Sequence, residues 1–191
     1  MQKTEPIESA EPVARGEKVV LRYFEPADAE LLWASMDDRE SMRLTGTHST
    51  FTREQIDAYV QRQMALKHES IESTDRAAFV IARPNNLSAL GEVVINNIDR
   101  PNNAASIRIA LFSPSQFGQG LGTEAMRLMV DYGFTRLGLH RIELQVYAFN
   151  PRAIRCYEKV GFRREGILRD ALRWDGEYVD AIVMSVLDCN R

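Results

Sequence analysis

The stretch Asn150-Pro-Arg-Ala-Ile-Arg-Cys-Tyr-Glu-Lys-Val-Gly-Phe162, "NPRAIRCYEKVGF", marks both ends of a helix by its own residues. Asn150 can accept the unpaired N–H groups of the first turn. Pro151 suits the first helical position, where an N–H would have no partner anyway, and Gly161 supplies the left-handed residue that ends the helix. Immediately before it, "RIELQVYAF" (141–149) sets Ile142, Leu144, Val146 and Ala148 at alternate positions, the period of a half-buried strand. A strand therefore feeds a sharply bounded helix.

Upstream lies "FGQGLGTEA" (117–125), with glycines at 118, 120 and 122 just ahead of the helical run "TEAMRLMVDYGFTRLG". The first N–H groups of a helix have no internal partners and the helix dipole adds partial positive charge there. Glycines let a large anionic group approach that backbone, so the stretch reads as a phosphate cradle. It is not a nucleotide P-loop, because Gly122 is followed by Thr123-Glu124 where a lysine would be needed, and it lacks the G-x-G-x-x-G dinucleotide spacing.

Further out, "KVVLRYF" (18–24) reads as a strand, followed by "EPADAELLWASM", where Pro26 opens a helix with Ala29, Leu32 and Trp33 on one face. Thr52 with Gln55 three residues later has capping-box spacing and starts a second helix over 52–70, with Ile56, Tyr59, Val60 and Met64 at helical intervals. Three β-rich runs, 77–83, 90–96 and 105–112, are separated by Asn-rich turns and predict consecutive antiparallel strands. Near the end, Asp175-Gly176 between two strand-like runs predicts a two-residue hairpin. The Glu- and Pro-rich residues 1–16 predict a loose tail, with order beginning near Lys18 and a single domain over 17–191. The class is α+β with a mixed sheet.

Composition narrows the function. At 191 residues and 45% hydrophobic the chain can bury one sizeable core, and a net charge of −3 gives no footprint for nucleic acid or anionic membrane. Cys156 and Cys189 lie far apart without His or Cys neighbours, which predicts no metal site and fits a reduced, cytoplasmic setting. No apolar run reaches the ~18 residues that span a bilayer, and the first residues lack a signal-peptide core.

Loop, helix, strand and "NPRAIRCYEKVGF" together resemble the GNAT acetyltransferase superfamily. Its pattern, [Q/R]-x-x-G-x-[G/A] followed by N-x-x-A-x-x-x-Y-E-x-x-G-F, is matched by Gly120 and Gly122 and then by Asn150, Ala153, Tyr157, Glu158, Gly161 and Phe162. The resemblance covers most of residues 18–188 and leans toward the branch of ribosomal-protein N-terminal alanine acetyltransferases. It implies a largely antiparallel sheet flanked by helices with a splayed strand pair at the acyl-CoA site, and acetyl transfer from acetyl-CoA to an amine by direct attack. It further implies that backbone N–H groups of Phe117, Gly118, Gln119, Gly120, Leu121, Gly122 and Thr123 hold the pyrophosphate. Leu111, Phe112, Asn150 and Ala153 would then lie along the pantetheine arm, and Tyr157 would bind there and protonate the departing thiolate. A backbone N–H near Phe112 would serve the carbonyl oxygen. Phe117 departs from the pattern, standing where Gln or Arg is usual, with its own N–H expected to remain available.

The general base is not evident. Ser106 stands where many relatives of this superfamily carry a glutamate. Glu92 on the preceding strand is the first candidate, with Asp99, Asp170 and Glu177 behind it. Cys156 beside Tyr157 has no His placed to activate it and reads as a small buried residue; Glu158 and Lys159 read as a solvated helix face, and Trp174 and Tyr178 as cross-strand packing at the hairpin, with a wall of the substrate pocket as the alternative. The leading expectation is an N-acetyltransferase acting on an α-amino group of a peptide, protein or small molecule. An acyl-CoA-binding sensor without turnover is the alternative, and a nucleotide-binding or redox protein lacks the residues it would need. The C-terminal hairpin leaves room for a homodimer.

Overall fold

The computed structural model describes residues 11–69 and 74–190, within which eight strands form one sheet in the order β1-β2-β3-β4-β5-β6-β8-β7. The elements are β1 (Ala14–Arg15), β2 (Val20–Arg22), α1 (Asp28–Ser35), α2 (Arg39–Thr45), α3 (Arg53–Ala65), β3 (Ala77–Ala82), β4 (Ala89–Asp99), β5 (Ala104–Leu111), α4 (Leu121–Thr135), β6 (Arg141–Tyr147), α5 (Pro151–Val160), β7 (Arg163–Trp174) and β8 (Glu177–Leu187). All neighbouring strands run antiparallel except β5 and β6.

The sheet is covered on both faces, and the alternation of side chains divides one strand between two cores. Leu21, Phe79, Ile81, Val93, Ile95 and Ile107 pack with Met126, Met129 and Phe134 of α4 on one face. Their chain neighbours Val20, Val80 and Val94 pack with Leu32, Ile56 and Val60 of α1 and α3 on the other. Burial on both sides is why β3 reads as an unbroken apolar run rather than an alternating one.

Local signals that depend only on neighbouring residues hold. Thr52 and Gln55 form the reciprocal capping box of α3. Asn150 Oδ1 accepts from Ala153 N–H at 3.1 Å, Pro151 opens α5, and Gly161 closes it at φ 109°. Asp175 and Gly176 take positive φ between β7 and β8, the two-residue turn that such a pair favours.

Three expectations change. Order begins before Lys18, because Ala14 and Arg15 pair with Leu21 and Val20, while residues 1–10 of the expected tail lie outside the described residues. Strand β6 stops at Tyr147, which leaves Ala148 exposed beyond it. Helix α2 was not anticipated. It is capped by Asp38, whose side chain accepts from Ser41 N–H, and closed by Gly46, yet it buries no residue fully and so shows no apolar period.

The feature that positions the site is the junction of β5 and β6. They pair only over Ala104↔Arg141, Ala105↔Ile142 and Ser106↔Glu143, and then diverge. Beyond Ser106 the two strands splay, opening a groove of about 590 Å³ between them.

Candidate active site

One wall of the groove is backbone. A single 3-10 turn, Pro114–Gln116, follows β5 and leads into the glycine loop. Gly118 and Gly120 sit at φ 77° and 82°, a left-handed conformation that costs other residues about 1–2 kcal/mol. Alternating such residues curls the chain so that successive N–H groups face one concavity. The loop ends at the N-terminus of α4, where the N–H groups from Gly118 to Thr123 have no recorded acceptor among the described residues. Glu124 is different: its carboxylate accepts from the N–H groups of Glu17, Lys18 and Val19, pinning the helix start to the segment before β2. Lys18 Nζ in turn donates to Gln119 C=O at 3.0 Å and braces the loop from outside.

Phe117 behaves otherwise than its sequence position suggests. Its N–H is taken by Pro114 C=O at 3.0 Å, so it is not available to a ligand. Its ring instead lies under the Arg152 guanidinium at 3.7 Å, a cation–π contact that places a fixed positive charge beside the loop. Arg152, Arg155 and Lys159 all line the groove along α5. This cationic edge, with the free N–H groups of the loop, has the charge and the donors that suit a polyphosphate.

Where the strands diverge, Leu111 lines the groove and Phe112 does not. Phe112 N–H donates to Leu90 C=O at 2.9 Å, and the ring packs against the α1–α3 core. In a strand, successive backbone groups point to opposite edges, so the N–H of Leu111 is the one turned toward the splay. Of the backbone N–H groups near Phe112, the one that faces the splay is thus that of Leu111, a matter of register that sequence alone does not contain.

Tyr157, Asn150 and Ala153 come together on α5 at the same point, and all three line the groove. Asn150 is buried and serves as the helix cap through its side-chain oxygen. Tyr157 packs beside Phe162 and has no recorded hydrogen-bond partner for its hydroxyl among the described residues. Burial, and secondarily Cys156, raises the pKa of its phenol above the usual tyrosine value. The phenol is accordingly protonated throughout the neutral range. Cys156 accepts from Thr123 Oγ1 at 3.3 Å, and burial pushes its thiol up, which makes it a poor nucleophile.

The other wall is made of side chains. Helix α2 stands over β5 and contributes Ser41, Met42, Leu44 and Thr45. The helix and the segment after it are held from the far side by the hairpin and the turn after β6: Arg39 pairs with Asp175 at 2.8 Å, Arg43 lies 4.1 Å over Phe149, and His48 stacks on Trp174 at 4.9 Å. Trp174 thus packs against the segment after α2 rather than against Tyr178, which is 63% exposed.

Glu92 does not line the groove. It is buried, with Oε1 bound to Arg108 Nη1 at 2.6 Å and Oε2 to the Tyr59 hydroxyl at 2.7 Å. Arg108 Nη2 also donates to Tyr59 Oη at 2.9 Å, closing a three-member ring of hydrogen bonds. Both carboxylate oxygens are thus committed to partners on the side away from the groove. Arg108, which sequence reasoning passed over as one polar residue in an alternating strand, is the member that reaches the groove. Ser106 stays in the paired part of β5, opposite Asn96 and Glu143. Asp99, Asp170 and Glu177 lie away from the groove, and among the described residues no Asp or Glu lines it. Among the described residues no group of three or more His, Cys, Asp or Glu is arranged to hold a metal, and no helix is long and apolar enough to cross a membrane.

The sequence and the fold are similar to those of known proteins. Residues 18–163 match the family model described as "Acetyltransferase (GNAT) domain". The chain is 30% identical over 175 residues to the uncharacterized N-acetyltransferase p20 of Bacillus licheniformis, covering 90% of this chain and 93% of that one. It is 27% identical over 171 residues to YdaF of Bacillus subtilis, a suggested ribosomal N-acetyltransferase, covering 90% and 92%. Among solved structures, the Vibrio cholerae spermidine N-acetyltransferase in complex with CoA and spermine superposes with a TM-score of 0.77, at 25% identity and coverage of 92% and 98%. The glycine loop, the splay and the α5 helix are therefore parts of an acetyl-CoA-dependent acyltransferase, and the chain belongs to the GNAT acetyltransferase family.

Proposed function

We propose that this enzyme acetylates α-amino groups, on a peptide or protein terminus or on a small molecule whose amine has a similarly low pKa, with Tyr157 as the general acid. Acetyl-CoA supplies a thioester whose carbonyl accepts the amine and whose sulfur leaves. In this reading the N–H groups of Gly118 to Thr123, together with Arg152, Arg155 and Lys159, hold the phosphates. Leu111, Asn150 and Ala153 flank the pantetheine arm, the Leu111 N–H stabilises negative charge on the carbonyl oxygen, and the Tyr157 hydroxyl protonates the departing sulfur. Glu92 is a positioning residue, holding Arg108 with Tyr59.

The observation that carries the choice of amine is that, among the described residues, no carboxylate lines the groove. Only a neutral amine attacks. A lysine-like amine of pKa ~10.4 is neutral in about one molecule in 2,500 at pH 7, a cost of ~4.6 kcal/mol that a nearby base would have to offset. An α-amine of pKa ~7.7 to 8 is neutral in about one in 6 to 11 and demands far less. Polyamines, the acceptors of the Vibrio cholerae relative, would meet the Arg108 guanidinium with no acid among the described residues that line the groove. The acceptors of the ribosomal-protein N-terminal acetyltransferase branch satisfy the requirement.

The test compares initial rates on an alanine- or serine-led peptide with a free terminus, its terminally blocked lysine-containing counterpart, and spermidine, from pH 6 to 9. The free-terminus peptide is expected to be fastest at pH 7. Faster acetylation of spermidine or the blocked lysine peptide overturns the proposal.

A further inference from the structure

The triad of Arg108, Glu92 and Tyr59 does more than fill the sheet. Glu92 is the buried partner, with its side chain 5% exposed, whereas the Arg108 side chain is 45% exposed and lines the groove under α2. A guanidinium carries five N–H donors in a planar fork. Two of them are committed, to Glu92 Oε1 and Tyr59 Oη, which leaves three, including that on Nε, with no recorded acceptor among the described residues. Burial opposes the charge on Arg108, but Glu92 and then Tyr59 more than offset this, so the group stays cationic. Its orientation is fixed from behind by two short hydrogen bonds, so little side-chain freedom remains to be lost when a ligand arrives.

The surroundings on that side of the groove are neutral. Ser41, Thr45, Thr47, Gln145 and Tyr147 can hydrogen-bond a ligand but cannot balance a charge. Ser41 Oγ is itself buried without a partner. A planar guanidinium held from behind, with free donors facing a cavity that no described acid lines, is built for bidentate contact with a carboxylate. A role confined to the core fits less well, because a buried ion pair is often no more stable than apolar residues of the same volume, and here one partner turns outward.

We infer that Arg108, oriented by Glu92 and Tyr59, recognises a carboxylate carried by the acceptor, so that the enzyme selects amines bearing a carboxylate and rejects polyamines. This rests on the reading of the groove as an α-amine acetylation site.

The test uses the full chain with acetyl-CoA and two matched pairs, alanyl-alanine and trialanine, each against its C-terminal amide. Amidation removes the carboxylate while leaving the α-amine nearly unchanged. At least one free acid is expected to exceed its amide by about tenfold or more in kcat/KM, the range of one charge-assisted contact. Independently of turnover, calorimetry in the presence of CoA should show the N-acetyl form of that peptide binding about tenfold more tightly as the acid than as the amide. In a double variant, Arg108→Gln with Glu92→Gln, which leaves no buried charge unpaired, both preferences should collapse toward unity. If that variant does not fold, Arg108→Lys, which keeps the charge and loses the fork, should narrow the preference to about threefold. Acid and amide forms acetylated equally well by the wild type leave α-amine acetylation standing and overturn the role of Arg108. A preference undiminished in a folded variant overturns it too. If none of the four peptides is acetylated yet the N-acetyl acid binds more tightly through Arg108, the anion site stands and the α-amine reading falls.

Discussion

The two walls of the groove are built on different plans. The wall from the glycine loop to α5 works through backbone: free N–H groups, a helix N-terminus, a cap at Asn150, with side-chain charge added only at its edge. The wall from α2 to β5 works through side chains, on a short helix with no fully buried residue and on Arg108, whose setting depends on partners 16 and 49 residues away. A backbone site binds whatever carries the matching phosphate and amide groups, and it changes little as side chains change. A side-chain site can be respecified by a few substitutions. The same division lets one cosubstrate serve proteins with different acceptors, and it explains why likeness to a spermidine N-acetyltransferase need not extend to the acceptor.

Three substitutions test that division, beginning with the largest effect. Tyr157→Phe, at the seam between the walls, should lower kcat by about 10²-fold while acetyl-CoA affinity stays within a few-fold, since ring packing is retained. Because burial raises the Tyr157 phenol and the acid works in its protonated form, loss of activity through this group comes only as pH rises past the ordinary tyrosine value. The wild-type pH–rate profile should therefore climb as the amine deprotonates and show no falling limb below about pH 10. Equal turnover by the two proteins would return Tyr157 to a packing role.

Gly120→Asp attacks the backbone wall alone. It puts a side chain on a left-handed residue, with Cβ 3.1 Å from Lys18 Nζ, and adds negative charge beside the free N–H groups. Acetyl-CoA affinity by calorimetry should fall about tenfold or more. Unchanged affinity in a folded variant would show that the loop is not the phosphate site.

The smallest effect is expected from Arg39→Ala on the side-chain wall, which removes the exposed pair between α2 and Asp175. The KM for the amine should rise about two- to fivefold with acetyl-CoA affinity unaltered, and the difference should shrink in high salt. An equal loss of acetyl-CoA affinity would mean that the two walls are not separable.

The plans also differ in how far they can be read from sequence. Asn150, Pro151, Gly161 and the Asp175-Gly176 pair announce their geometry because each acts on its nearest neighbours in the chain. Strands β3 to β5 announce theirs through apolar content and the turns between them. Phe112 and Leu111 could not be told apart, since which N–H faces the splay is decided by pairing with Leu90 in another strand. Phe117 lost its N–H to a 3-10 turn whose sign, Ser113-Pro114, was present but unread. Helix α2 left only its caps, Asp38 and Gly46, as a trace, because a helix anchored by an exposed ion pair, a cation–π contact and a stacked ring needs no apolar stripe. Arg108 is the clearest case: among Ile107, Ile109 and Leu111 it reads as a solvent-facing residue, and nothing local links it to Tyr59.

The short ladder between β5 and β6 also has a consequence for water. Backbone groups past Ser106 on one strand, and past Glu143 on the other, point across the splay at a distance no ladder can bridge. Each must keep a hydration partner while the groove is empty. A ligand that displaces those waters has to replace their hydrogen bonds along its length, so a plain hydrocarbon chain of the same volume is penalised at every step, and a chain carrying amides at intervals is not. The splay is in that sense a ruler of polarity, selecting its occupant by where along the molecule it can still hydrogen-bond.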